Sequence, residues 1–68
     1  MFELYDIVKL KVDRPDIGVK NTHIGTIIDY VEDENVYSVE FVDESGDTIE
    51  DSIYEYFSPD ELILATEK

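Results

Sequence analysis

Sixty-eight residues make one domain, spanning 1–68, of a size that buries only about 60% of the surface its unfolded chain exposes. No cysteine is present, so neither a disulfide framework nor a thiolate metal cluster can brace the fold. Eighteen acids against five bases leave a net charge of −13, which sets the chain against phosphate backbones and anionic membranes as partners. A hydrophobic content of 43%, with five tyrosines and three phenylalanines, argues for a packed core rather than a disordered polyanion.

The N-terminal stretch MFELYDIVKL carries Glu3 and Asp6 where a signal peptide needs uninterrupted apolar residues. No long apolar run follows, and the chain reads as soluble and cytoplasmic. From Tyr5 to Val12 the residues alternate with period two. Val8, Leu10 and Val12 fall on one face and Ile7, Lys9 and Lys11 on the other, which predicts a half-buried strand. Pro15 and Gly18 break it, and residues 13–22 are expected to form a long loop.

A second strand is predicted from His23 to Val31, rich in β-branched residues. Gly25 inside it marks a bulge, a bend or a close backbone approach. Glu32-Asp33-Glu34-Asn35 is the next turn. Val36 to Asp43 is a third strand, with Tyr37, Val39 and Phe41 inward and Ser38 and Glu40 outward. Glu44-Ser45-Gly46-Asp47 forms a tight hairpin loop in which Gly46 supplies positive φ.

Thr48 to Phe57 is expected as a fourth strand with Ile49, Ile53 and Phe57 in the core. Strict alternation would then put Asp51 and Glu55 on that same face, so a bulge or an early strand end must reset the pattern. Ser58-Pro59-Asp60-Glu61 is a capping box with proline at the first helical position. It predicts one tight helical turn and then a brief fifth strand over Leu62–Ala65. Five short strands with one helical turn before the last describe an all-β domain, a small five-stranded SH3-like barrel; an open OB-type barrel is the competing architecture.

The residues from Tyr5-Asp6-Ile7-Val8 and Leu10, through Pro15, Gly18 and Gly25-Thr26-Ile27, to Tyr37-x-Val39-Glu40-Phe41-Val42-Asp43, Gly46 and Leu62 carry a resemblance. The chain resembles the small bacterial domain-of-unknown-function family numbered 4926, departing from it at Asn21-Thr22-His23, where a second glycine is expected. The resemblance implies an SH3-like barrel, often encoded beside genes for candidate toxins. It implies no enzymatic activity and no assigned site residues.

Charge is distributed unevenly. Residues 1–20 balance Lys9, Lys11, Arg14 and Lys20 against Glu3, Asp6, Asp13 and Asp16, whereas residues 21–67 hold fourteen acids and no base. The only cation after them is Lys68. A solvated surface or salt adaptation accounts for such a stretch as readily as a partner does.

Catalysis finds little support. His23 stands alone, without a cysteine as partner nucleophile, and the serines are explained by strand, hairpin and cap positions. Asp43-x-Ser45-x-Asp47 imitates the opening of a calcium loop, but the sixth position is Thr48 and the twelfth Tyr54, so the match fails. No enzyme activity, cofactor or metal is expected. Lys9, Lys11, Arg14 and Lys20 are too few to make a KOW-type nucleic-acid face, which ranks a distant third among the functions.

The leading expectation is a non-catalytic inhibitor, an antitoxin or immunity protein whose acidic face covers the basic active-site surface of a toxin such as a nuclease. Glu32, Asp33, Glu34, Glu44 and Asp47 would lead this face, and Glu50, Asp51 and Glu55 would extend it along strand four. Tyr54 and Tyr56 would anchor it, with core packing the competing role for one of them. The alternative is a structural or adaptor module that docks on a larger complex through the same tyrosines. The sequence leaves homo-oligomerisation open.

Overall fold

The computed structural model describes residues 2–65. Thr66, Glu67 and the C-terminal cation Lys68 therefore lie outside the described residues. Five strands, β1 (Ile7–Leu10), β2 (Ile24–Val31), β3 (Val36–Val42), β4 (Tyr56–Phe57) and β5 (Leu62–Leu64), form one antiparallel sheet in the order β4-β3-β2-β1-β5. Tight 3-10 turns occupy Pro15–Ile17 and Pro59–Glu61, and one short helix, α1, spans Glu50–Ile53. The last strand returns to pair with the first. β4 and β5 remain the two ends of the sheet, with no ladder between them, so the backbone pairing is that of an open five-stranded sheet.

Alternation holds for most of the core positions of β1 and β3. Val8 and Leu10 of β1 and Tyr37, Val39 and Phe41 of β3 are buried, with Ile17, Val19, Ile27, Phe57 and Leu62 completing the core. Val12 departs from the pattern. The β1 ladder stops at Leu10, and Val12, two residues beyond it, is 73% exposed. Ser38, expected outside, is buried. It lies between its register partners Asp29 on β2 and Tyr56 on β4.

Gly25 is a close approach, not the bulge. A Cβ there would lie 2.6 Å from Val39 Cγ1 and 2.7 Å from the Phe41 ring. The irregularity comes three residues later, where the register skips Ile28 between the pairs Ile27–Val39 and Asp29–Ser38. That extra residue turns Tyr30 to the same face as Tyr37.

The fourth strand needs correction. Residues 48–57 do not run as one strand: Thr48 makes a single bridge to Val42, α1 follows, and only Tyr56 and Phe57 pair with β3. Ile49 N–H donates to Phe41 O (2.8 Å), and Ser52 Oγ accepts from Phe41 N–H (3.2 Å), so the helix satisfies the edge of β3 in place of a ladder. Ser52 Oγ in turn donates to Ile49 O at 2.6 Å, and its side chain is fully buried. Of the three expected core residues, Phe57 is buried, Ile49 packs against the core, and Ile53 is exposed at the end of α1. The capping box forms as predicted. Ser58 N–H and Oγ both bond Glu61 Oε2, and the turn delivers Leu62 into the core.

Candidate functional site

The topology sets the distance between the acidic loops. Glu32–Asn35 and Asp43–Asp47 lie at opposite ends of β3, whose seven residues span roughly 20 Å at about 3.3 Å per residue. Glu32, Asp33 and Glu34 are therefore not adjacent to Glu44 and Asp47. The segment from Thr48 to Phe57 connects the two ends, because it meets β3 first at Val42 and Phe41 and last at Ser38 and Tyr37. Along this edge come Glu44 and Asp47, then Glu50 and Asp51 on the first turn of α1, then Tyr54 and Tyr56. The arrangement is a ridge rather than a patch.

Both tyrosines face solvent. Tyr54 is 81% exposed and Tyr56 is 55% exposed, so neither is a core residue. Glu32, Asp33, Glu34, Asp47, Glu50 and Asp51 are exposed and, among the described residues, form no ion pair. Asp43 organises the loop beside them. Its Oδ1 accepts from the backbone N–H of Ser45 (2.9 Å) and of Asp47 (3.0 Å), which explains the calcium-like spacing as a turn device. Among the described residues no group of three or more histidines, aspartates or glutamates is placed to hold a metal.

Two of the expected residues have partners within the chain. Glu55 Oε2 sits 2.8 Å from Arg14 NH2 and is only partly exposed. Glu44 Oε2 lies 3.4 Å from Nε2 of His23, which is 6% exposed. Nδ1 of this imidazole accepts from Lys20 N–H (3.0 Å), so in the neutral ring Nε2 carries the proton and faces Glu44. The 3.4 Å contact is not a hydrogen bond by geometry, and Nε2 is buried without a hydrogen-bond partner among the described residues. The Glu44 carboxyl is held below its usual range, first by a bond from its own backbone N–H and then by the electrostatic influence of the nearby His23 imidazole.

Arg14 makes a cluster that residue patterns did not reveal. Its guanidinium bonds Asp16 (2.9 and 3.0 Å), Glu55 (2.8 Å) and Glu61 (2.9 Å), and its Cζ lies 5.7 Å from the centroid of the Phe57 ring. Glu55 precedes β4 and Glu61 precedes β5, so this one cation joins the two free ends of the sheet. The three carboxylates raise the Arg14 pKa still further, with the Asp16 bond leading and Glu55 next, and Arg14 lowers that of Asp16. The available signal was charge asymmetry: an arginine among acids is the natural hub for carboxylates brought from distant positions.

The family model described as "Domain of unknown function (DUF4926)" matches residues 4–53. The chain belongs to this family. The match takes in β1, β2, β3 and α1, while β4, the second 3-10 turn and β5, including Leu62, lie beyond it. No curated protein and no solved structure matches the chain. No helix among the described residues is long and apolar enough to cross a membrane.

Proposed function

We propose that this protein is a non-catalytic, cytoplasmic protein-binding module that covers the basic surface of a partner, as an antitoxin or immunity protein covers the cleft of a toxin such as a nuclease. One observation carries the reading. Glu32, Asp33, Glu34, Asp47, Glu50 and Asp51 are exposed and have no counter-charge among the described residues, and Asp47, Glu50 and Asp51 run along the same edge as exposed Tyr54 and Tyr56. Carboxylates on a rigid frame can take the positions of phosphates in a basic cleft, and they speed encounter more than they tighten the final complex. The tyrosines supply the apolar contact that rim charges lack. The SH3-like barrel reading of the fold draws support from the strand order, the 3-10 turn before β5 and the Arg14 junction of β4 with β5.

A second reading, an adaptor that docks mainly through Tyr54 and Tyr56, is favoured by their exposure at the end of α1 and on β4, an edge strand with no outer partner among the described residues. Salt separates the two, because steered contacts weaken as ionic strength rises and apolar docking hardly changes. The test is affinity capture from the host lysate with low-salt and high-salt washes, followed by mass spectrometry and a toxicity assay of the captured protein. One basic protein released by salt, whose toxicity the acidic chain suppresses, is the expected result. A partner that is acidic, or that resists salt, refutes the inhibitor reading in favour of the adaptor.

A further inference from the structure

The N-terminal turn carries an aromatic side chain in a backbone conformation that aromatic residues rarely adopt. Glu3–Asp6 is a four-residue turn closed by Asp6 N–H to Glu3 O (3.1 Å) and, in return, Glu3 N–H to Asp6 Oδ2 (2.9 Å). Tyr5 occupies its third position with φ 71°, where glycine or asparagine is usual. Its N–H is tied to Ile27 O at 2.7 Å, and Ile27 N–H is tied to Asp6 O at 3.0 Å, so the turn is fixed to β2. The strain gains no burial in return: Tyr5 is 72% exposed and Leu4 is half exposed. Strain kept at an exposed aromatic points to use by a partner.

Beside the turn lies an open depression lined by Phe2, Glu3, Leu4, Asp29 and Tyr30. Its aromatic side is rigid. Phe2 and Tyr30 both pack on buried Tyr37, with centroid distances of 5.5 and 4.8 Å, and the Tyr30 hydroxyl donates to Asn35 Oδ1 at 2.9 Å. Preorganised rings lose little freedom on binding. Two carboxylates and two aromatic rings around one depression complement a planar cation on an apolar stem, which a guanidinium satisfies better than an ammonium.

We infer that the depression between the Glu3–Asp6 turn and Tyr30 receives an arginine side chain of a partner protein, with Leu4 and Tyr5 as the flanking apolar contacts. The inference rests on the reading of a basic partner only for the origin of that arginine, and the site can be tested without the partner. The probe is acetyl-Gly-Arg-Gly-amide titrated into the labelled full chain and followed by amide NMR shifts, with acetyl-Gly-citrulline-Gly-amide as the uncharged control. Saturable shifts confined to Phe2–Asp6 and Asp29–Tyr30, absent with citrulline, are expected. Asp29→Asn, which keeps the acceptor that bonds Tyr30 N–H, should weaken binding roughly 2- to 5-fold.

Tyr5→Gly relieves the strained φ, so its thermal midpoint should equal or exceed that of the wild type while peptide affinity falls. Shifts spread over all exposed acids, equal shifts with citrulline, no binding, or undiminished binding by both variants would each overturn the site. The two proposals fail separately. A basic partner that binds both variants as well as the wild type removes the site and leaves the inhibitor reading, whereas local peptide binding without any basic partner does the reverse.

Discussion

Two acidic regions of this small molecule behave in opposite ways. At the junction of β4 and β5, Asp16, Glu55 and Glu61 converge on Arg14 above the Phe57 ring, and their charge joins parts of the chain far apart in sequence. At Glu50 and Asp51 on α1 and at the Glu32–Glu34 turn, carboxylates of the same chemical kind face water without a counter-charge among the described residues. The contrast teaches that net charge by itself says little. An acid contributes to the fold where a cation and a ring meet it, and elsewhere it repels its neighbours and is free for another molecule.

The difference can be broken first at the junction. Phe57→Ala removes the buried ring beneath Arg14 and should cost about 3–5 kcal/mol, read as a loss of the denaturation midpoint. Arg14→Met keeps most of the stem but strands three carboxylates, and should cost about 1–2 kcal/mol because the pairs are partly exposed. In a domain of this size each kcal/mol moves the thermal midpoint by about 4–8 °C. An unchanged midpoint in Arg14→Met would show that the cluster holds nothing together.

Changes in the unpaired region should be smaller in stability. The double reversal Asp33→Lys/Glu34→Lys is expected to alter stability by no more than about 0.5 kcal/mol. Raising ionic strength should raise the wild-type midpoint as self-repulsion is screened, and less so in that variant. Calorimetry at low and high salt reads both.

Acid provides a further comparison. The Asp16 and Glu44 carboxyls are lowered in the folded state, by Arg14 in one case and chiefly by a backbone N–H in the other. Their contribution is fully present above the unfolded carboxylate values and is lost as pH falls through the lowered folded ones. Melting curves should therefore lose stability below about pH 4, and Asp16→Asn should flatten part of that decline. A decline that begins near neutrality would implicate other groups.

Much of this organisation is legible in the sequence, for physical reasons. Val8, Leu10, Tyr37, Val39 and Phe41 obey period two because their strands bury one face, and Ser58-Pro59-Asp60-Glu61 announces its turn because a capping box is a local device. The Thr48–Phe57 segment departs from the expected strand where the spacing of its apolar residues is helical rather than alternating. Ile49, Ile53 and Phe57 recur every four residues, a helical signature, and the alternation conflict at Asp51 and Glu55 marked the same place. The Arg14 cluster was not legible, since its carboxylates come together only after β4 and β5 are placed. The opposite placement of the two acidic loops follows from the strand predicted between them, whereas the helical turn that carries Glu50 and Asp51 is known only from the structure.

The most direct test of the central claim, that the unpaired acids serve a basic partner rather than the fold, is the association rate with the captured partner. It should be measured at low and high ionic strength for the wild type and for Asp33→Lys/Glu34→Lys. The account predicts a wild-type rate that falls steeply with salt, on the order of tenfold, and a variant that is slower at low salt and flatter across the range. Equal rates for the two proteins, unchanged by salt, would contradict it.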